Sequence, residues 1–298
     1  MKIDFFHNEF ETSEGVFILD KSDGHVSNFG KQWRDYVDVQ IDSKNNFDIS
    51  KKYLEDLLFN NLEVLEDKNV LEVGSGAGRF TEHICKYAKQ CVSVDLSSAI
   101  YFNVASDEEN LIRVKADFLK LEPKERFDVV ICRGVLQHTQ DPKISILKLH
   151  EFLSEDSGSV FFDVYPMPKI GKLHPKYCLW RPLFKTFISY ERCDSFLKRN
   201  IKLLLKVKRN LKKLMFNSDF LSDCLIPVWD YHGKLKLNAE QLEIWAILDT
   251  LDGLYAKYDF PMSNRSVISL IDKHGIYLQE TDKIRNFFKT SFSKQTGL

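Results

Sequence analysis

The sequence lacks the marks of disulfide-stapled, zinc-binding or membrane-spanning proteins. Its six cysteines include no C-x-x-C pair, which argues against a zinc knuckle and, in 298 residues, against a disulfide scaffold. No apolar run approaches the roughly 20 residues that cross a bilayer. The first residues, MKIDFFHNEFETSEG, lack the basic tip and apolar core of a secretory signal. We therefore expect free thiols, no metal and a cytoplasmic location.

Net charge is also nearly absent, but the charges are unevenly placed. The formal net charge is −1, yet residues 165–216 hold 14 lysines and arginines against two acids. A hydrophobic fraction of 44% and a charged fraction of 29% are typical of a globular protein. The balanced total, without aromatics interleaved among the basic residues, argues against nucleic acid as a partner. The sequence predicts one basic segment on an acidic body.

From residue 69 onward the hydrophobic pattern alternates between strand and helix. Five predicted strands, separated by helical segments, cover 69–73, 91–95, 111–117, 127–133 and 159–165. Such alternation favours parallel crossovers and an α/β, doubly wound sheet. With two further strands in 276–281 and 284–292, we predict a Rossmann-like, mostly parallel, seven-stranded sheet.

The alternation breaks after the fifth strand. Four prolines stand in 166–182, followed by an amphipathic basic helix over 191–217 and a helix framed by Asn238 and Gln241 that closes near Gly253. We predict a helical insertion after the fifth strand. We expect an N-terminal cap or lid over 1–58 and a Rossmann-like core over 59–165. A basic helical insertion over 166–259 is expected to form the acceptor side, and a C-terminal segment over 260–298 to complete the core.

The stretch VLEVGSGAGRFT at 70–81 is a glycine-lined turn behind a strand. Such a turn lets a ligand approach bare backbone and presents unpaired N–H groups at a helix N-terminus. A dinucleotide fingerprint needs its third glycine at 79, which is Arg79, and the G-K-[ST] of a P-loop is absent. The carboxylate of Glu72 is a poor neighbour for pyrophosphate and a good one for a cation. A ligand with a positively charged end is favoured.

Two acids close the next strands. Asp95 ends the second strand, where a carboxylate accepts hydrogen bonds from ribose hydroxyls, and this fits either NAD or an adenosyl ligand. Asp117 and Phe118 end the third strand, where an acid can accept from an adenine amine while an aromatic covers one face of the ring.

Four motifs together resemble those of class I S-adenosylmethionine-dependent methyltransferases, particularly the type 11 or UbiE-like group. They are E-x-G-x-G-x-G at 72–78, V-D at 94–95, A-D-F at 116–118 and FDVVICRGVLQHTQDP at 127–142. FGKQW at 29–33 and WAILDTLDGLYAKYDFP at 245–261 resemble a subgroup found with cell-surface glycan or secondary-metabolite biosynthesis. The resemblance implies S-adenosylmethionine as cofactor and a set of cofactor-binding residues. These are Glu72, Gly74, Ser75, Gly76, Gly78, Asp95, Leu96, Asp117, Phe118, Arg133 and Gly134.

Candidate catalytic residues follow the fourth and fifth strands: His138, Asp163 and Tyr165. Each also has a structural interpretation, namely loop structure for the histidine, a backbone hydrogen bond for the aspartate and pocket lining for the tyrosine. Nearer the N-terminus, Trp33 is expected to make core contacts, and Arg34 is a weaker candidate for binding the cofactor carboxylate.

The sequence thus predicts a methyltransferase that acts on a small molecule or glycan, with O-methylation favoured. The alternatives are an NAD-dependent oxidoreductase or epimerase and a non-catalytic binding module of the same fold. The basic helix at 191–217 has three interpretations: a solvated lid face, attraction of an anionic acceptor, or peripheral contact with an acidic membrane. The acceptor, the nucleophile atom and the oligomeric state stay open.

Overall fold

The computed structural model describes residues 3–168, 170–216 and 218–292, without the side chains of 33–35, 37 and 38. Its described residues form one nine-stranded sheet in the order β1-β2-β5-β4-β3-β6-β7-β9-β8. The strands are β1 Glu11–Ser13, β2 Val16–Ile18, β3 Asn69–Val73, β4 Gln90–Asp95, β5 Leu111–Lys115, β6 Val129–Cys132, β7 Ser159–Asp163, β8 Tyr277–Asp282 and β9 Phe287–Ser291.

The central strands are parallel, and their carboxyl ends meet at one edge. Val73 of β3 pairs with Val94 of β4 on one side and with Cys132 of β6 on the other. The chain moves outward from β3 through β4 to β5, and then returns to place β6 on the other side of β3. Ligands of open α/β sheets bind at such a reversal of strand order. The fold therefore places a binding site at the ends of β3, β4 and β6.

The prediction of seven strands is wrong in number, because an N-terminal hairpin extends the sheet. Strand β2 pairs in parallel with β5, and β1 pairs antiparallel with β2. Each strand has three residues, and Val16 is their only fully buried side chain. So short a segment carries no periodic pattern, and it is held by pairing with a distant strand. The aromatic residues just before it, Phe5, Phe6 and Phe10, lie in the main core.

The described helices are α1 Ser27–Gln40, α2 Asp42–Asn45, α3 Ile49–Leu57, α4 Thr81–Ile84, α5 Pro142–Glu151, α6 Arg181–Phe187, α7 Tyr190–Leu214, α8 Asp219–Leu225, α9 Ala239–Tyr255 and α10 Asn264–Lys273. The capping box of Asn238 and Gln241 is confirmed at the start of α9. Among these helices and among all described residues, none is both long and apolar enough to span a membrane.

The hydrophobic pattern of the sequence also predicts a helix over 78–89 and one from Ser97 or Ser98 to about 106, and both are shorter in the structure. The helix predicted over 78–89 is reduced to α4, and the one predicted from Ser97 or Ser98 to about 106 is a 3₁₀ helix over Ser98–Phe102. Past α4, the side chain of Asn110 donates to the carbonyls of Cys85 and Ala88. Because a distant amide satisfies these carbonyls, another helical turn is not needed to pair them.

The chain divides into two compact units. The first comprises residues 1–37, 41–167 and 258–298 and contains the whole sheet; the second comprises 38–40 and 168–257. Within the second unit, the buried guanidinium of Arg181 donates to the carbonyls of Gly253 and Ala256. A Cβ at Gly253 would lie 2.5 Å from the ring of Trp229, so the indole requires a glycine in the last turn of α9. The predicted four-part division, with a separate cap over 1–58, stays a prediction.

Candidate cofactor and active site

The turn after β3 requires glycine on both conformational and packing grounds. Gly74, Gly76 and Gly78 have φ of +79°, +55° and +90°, a region that side chains disfavour. A Cβ at Gly74 would lie 2.1 Å from Cγ2 of Val135, and one at Gly78 would lie 2.2 Å from Oδ1 of Asn103. The turn therefore lies against its neighbours as bare backbone.

Four amides of this turn are engaged within the protein, which corrects the expectation of unpaired N–H groups at these four positions. Gly74 N and Ser75 N donate to the carbonyl of Val94 at 2.7 and 3.3 Å. Gly76 N donates to Oδ2 of Asp95 at 2.7 Å, and Gly78 N donates to the carbonyl of Ser75 at 3.0 Å. A pyrophosphate site uses such amides as donors. With these four engaged, the turn is a poor anion site.

Glu72 is a buried carboxyl with one partnered oxygen. Its exposed fraction is 2%. Oε2 accepts hydrogen bonds from Thr81 Oγ1 at 2.6 Å and Ser93 Oγ at 2.7 Å, whereas Oε1 has no partner among the described residues. Burial raises the pKa of Glu72 to about 7; the two hydroxyls oppose this rise and the charge of Asp95 adds to it. An incoming cation would supply the missing partner.

Asp95 organises the end of β4. Its Oδ2 accepts from Gly76 N, and its Oδ1 accepts from the N–H and hydroxyl of Ser97 at 2.7 and 2.6 Å. Burial raises the pKa of Asp95, opposed by these hydrogen bonds. A carboxylate has about four acceptor sites, so one site on Oδ2 is left for a ligand hydroxyl. Rotation of the Ser97 hydroxyl would release another.

A buried lysine that the sequence pattern did not single out ties the N-terminal segment to this edge. Lys115 Nζ lies 3.0 Å from Oδ1 of Asp23 and donates to the carbonyls of Leu96 at 2.9 Å and Asp20 at 3.2 Å. Burial would raise the pKa of Asp23, but hydrogen bonds from Ser98 and Lys115 outweigh it, so that pKa is lowered. The one available signal was a lysine near the end of a strand that the hydrophobic pattern predicted.

The end of β5 is also fastened by the N-terminal segment. Asp117 N donates to Oδ2 of Asp20 at 2.9 Å, and Asp117 Oδ1 accepts from Leu119 N at 3.1 Å. Phe118 is buried in the main core cluster. The adenine contacts of Asp117 and Phe118 stay predictions.

Past β6, the backbone leaves open space. Gly134 N donates to Oδ1 of Asp163 at 2.6 Å, φ is +71°, and a Cβ there would meet nothing within 4 Å. Burial raises the pKa of Asp163, opposed mainly by the charge of Arg133 and this hydrogen bond. The Arg133 guanidinium lies over the rings of Tyr53, at 4.9 Å, and Phe287, at 5.0 Å. Asp163 and Arg133 therefore hold the loop in place.

His138 lies among aromatic rings beyond this loop. It is buried, and its Nδ1 lies 3.0 Å from the carbonyl oxygen of Tyr258. Because a carbonyl only accepts, Nδ1 carries the hydrogen and Nε2 is the basic nitrogen of the neutral ring. The imidazole centroid lies 5.0 Å from that of Phe29 and 5.5 Å from that of Tyr165. The side chains of Trp33 and Arg34 lie outside the described part, so their predicted roles are untested.

The sequence pattern also did not indicate a buried group of three possible metal ligands. Ligand atoms of Asp42, Glu82 and His83 lie within 4.8 Å of one another. However, both oxygens of Asp42 accept backbone N–H groups at the start of α3, from Ser50 at 2.9 Å and Lys51 at 2.8 Å. His83 Nε2 lies 3.0 Å from Asp42 Oδ2. These contacts explain the group as a helix cap.

The residues present suit S-adenosylmethionine. At the end of β3 and in the turn after it, Glu72 Oε1 and Ser75 Oγ are buried oxygens without a partner among the described residues, and Asp95 adds an acceptor site. Buried acceptors beside four engaged turn amides match a cationic nucleoside better than a diphosphate.

Comparison with known proteins finds similarity to methyltransferases. A family model described as a methyltransferase domain matches residues 48–215. The curated tRNA U34 carboxymethyltransferase of Ruthia magnifica subsp. Calyptogena magnifica is 26% identical over 216 residues, covering 66% of this chain and 65% of its own. The ubiquinone biosynthesis O-methyltransferase of Pasteurella multocida is 31% identical over 113 residues, covering 33% of this chain and 46% of its own. The chain thus spans less than two thirds of the length of these relatives.

Two solved structures show a partial similarity to this chain. The S-adenosyl-L-homocysteine complex of the N-methyltransferase NodS from Bradyrhizobium japonicum aligns over 47% of this chain and 74% of its own, at 19% identity and a TM-score of 0.39. A putative methyltransferase from Bacillus halodurans aligns over 77% of this chain and 71% of its own, at 13% identity and a TM-score of 0.42.

The family model covers more than half of the chain, and the comparisons confirm the resemblance to class I methyltransferases, the enzyme class and the cofactor. The chain belongs to the methyltransferase domain family, within the class I S-adenosylmethionine-dependent methyltransferases.

Proposed function

We propose that this protein methylates a hydroxyl group of a small molecule or glycan, with His138 as the general base. The observation that carries the proposal is the hydrogen bond between His138 Nδ1 and the carbonyl of Tyr258. It fixes the tautomer in which Nε2 can accept a proton. A hydroxyl needs such a base, whereas a neutral amine does not.

The cofactor would be held by the ends of β3 and β4. Glu72 Oε1 would accept from its ammonium group, the glycine turn would lie along its methionine part, and Asp95 would accept from its ribose. S-adenosylmethionine supplies a methyl group that is already activated on a sulfonium. The protein then has to align the acceptor and exclude water, which can contribute about 7 to 11 kcal/mol.

The acceptor would bind beside His138. Phe29 and Tyr165 present rings to the imidazole, and an apolar wall excludes water from the hydroxyl that loses its proton. Asp163 would act through the loop, since its Oδ1 already accepts from Gly134 N. In this proposal Asp163 is a positioning residue and Tyr165 lines the pocket.

The NAD-dependent alternative is disfavoured by the engaged amides of the glycine turn. Titration calorimetry with S-adenosylmethionine, S-adenosylhomocysteine and NAD tests this directly. We expect binding of the first two and none of NAD. A site that bound NAD and neither sulfur nucleoside would overturn the cofactor assignment, and cofactor binding without turnover would support the non-catalytic module.

The acceptor class is tested by mass spectrometry of acceptor panels incubated with enzyme and cofactor. The panels are phenols, glycans, amines and total tRNA, because one relative is named for tRNA. We expect a methyl gain on hydroxyl acceptors. Methylation confined to tRNA or to amines would refute the proposed class of acceptor.

The base is tested with His138→Gln, against His274→Gln as the matched control. His274 also places Nδ1 against a backbone carbonyl, that of Leu270, but it lies on the exposed end of α10. We expect His138→Gln to lower kcat by about 10²- to 10⁴-fold and to leave cofactor affinity unchanged. Full activity in this variant would refute the base.

A further inference from the structure

Helix α7, within the second compact unit, carries apolar residues on two faces. Leu197, Ile201 and Leu205 are buried. On another face, four apolar side chains have exposed fractions of 53, 60, 39 and 79%: Phe196, Leu203, Val207 and Leu214. At about 100° per residue these four fall within roughly 20° of one line along the helix. We call them the exposed apolar row.

Beside this row runs a row of cations spaced by seven residues: Arg192, Arg199, Lys206 and Lys213. All four are exposed. None forms an ion pair within the described part of the chain, whereas Lys198 and Lys212 on the same helix pair with acids. Over 21 residues the cation row extends about 30 Å along the helix.

The helix as a whole is strongly basic. It contains nine lysines and arginines against Glu191 and Asp194. A shallow depression at its N-terminal half is lined by Glu191, Arg192, Ser195, Phe196, Arg199 and Asn200. Two guanidinium groups with hydroxyl and amide donors around an aromatic ring provide the chemistry that binds a phosphate headgroup.

We propose that this face of α7 docks on an anionic phospholipid surface. The exposed apolar row enters the headgroup region, and the cation row contacts lipid phosphates. Helices with an apolar stripe beside lysines and arginines bind membrane interfaces in this way. Exposed apolar side chains continue at both ends of α7, at Phe187 and Phe216.

Charge complementarity favours lipid over the other occupants. A second copy of the chain would bring its own cation row to the same interface, and these rows would repel. A nucleic acid would satisfy the cations but would leave the exposed apolar row against a wet phosphate backbone. An anionic bilayer provides phosphates for the cation row and apolar surroundings for the exposed apolar row. The inference is independent of the methylated acceptor.

Vesicle flotation of the full chain tests the proposal. We expect binding to vesicles of equal parts phosphatidylcholine and phosphatidylglycerol, weak binding to phosphatidylcholine alone, and a steep loss as salt rises. The double variant Leu203→Ser/Leu214→Ser should lower the partition coefficient at least tenfold. A triple variant, Arg199→Gln/Lys206→Gln/Lys213→Gln, should lower it about a hundredfold, at roughly fivefold per cation.

The matched control removes three lysines that are paired with acids on other faces: Lys198→Gln/Lys202→Gln/Lys212→Gln. We expect a loss below tenfold, with circular dichroism unchanged in every variant. Equal binding to both vesicle types, no binding to either, or equal losses in control and cation-row variants would overturn the proposal. So would a dimer in sedimentation velocity that the double variant dissolves, or preference for RNA over vesicles.

Discussion

The buried carboxyl of Glu72 leads to a stability prediction for the cofactor-free protein. Burial places its pKa at about 7, against 4.5 for an ordinary glutamate. Between these values the folded state holds a proton that the unfolded state has lost. At about 1.4 kcal/mol per pH unit, the free energy of unfolding should fall by about 3 kcal/mol from pH 4.5 to 7 through this group. Below pH 4.5 and above pH 7 its contribution is constant.

The effect has to be measured as a difference, because another buried group titrates in the opposite sense. Burial lowers the pKa of His150 to about 4, so its folded form loses stability as pH falls below 6.5. Glu72→Gln keeps the shape of the side chain and removes only the titration of Glu72. The free energy of unfolding of this variant, minus that of the wild type, should rise by about 3 kcal/mol over the same pH range.

Urea denaturation of both proteins at half-unit pH intervals measures this difference. Calorimetry measures the affinity of both proteins for S-adenosylmethionine over the same pH range. In the wild type, affinity for S-adenosylmethionine should fall roughly tenfold per pH unit below 7, since a bound ammonium favours the carboxylate. Glu72→Gln should flatten that slope. A difference in unfolding free energy that does not change with pH would refute the raised pKa, and with it the electrostatic reasoning for Glu72.

Two further predictions concern the ends of β3 and β4. Asp95→Asn should weaken binding of S-adenosylmethionine in calorimetry roughly tenfold to a hundredfold, because a charged acceptor is lost. Ser97→Ala, as the control, should leave the affinity nearly unchanged. Undiminished affinity in the asparagine variant would disprove the ribose assignment. Gly74→Ala should lower the free energy of unfolding by about 2 to 5 kcal/mol, since the new Cβ meets Val135 at 2.1 Å and φ is +79°. Adding Val135→Ala should restore part of that loss in denaturation, and no restoration would show that contact with Val135 is not its cause.

Local pattern was enough to locate the core of the fold. Five of the predicted strands overlap β3, β4, β5, β6 and β7, because a buried parallel strand is a short apolar run between turn residues. The glycine turn was also readable, because positive φ restricts the residue type at each position. Asp95 could be placed at the ligand edge, because carboxyl ends of parallel strands share one edge.

The features that decide the chemistry depend on residues far apart in the chain. The tautomer of His138 is set by a carbonyl 120 residues away, and the ion pair of Lys115 with Asp23 closes the β4–β5 edge from the N-terminal segment.

The sequence by itself therefore determined the family, the parallel core of the sheet and the strand ends at which the cofactor is expected. Only the tertiary structure decided which turn amides are engaged, which oxygen of Glu72 lacks a partner and which nitrogen of His138 is basic. The physical reason is that periodicity and backbone conformation are local properties of the chain, whereas burial and hydrogen-bond partners exist only once distant segments have packed together.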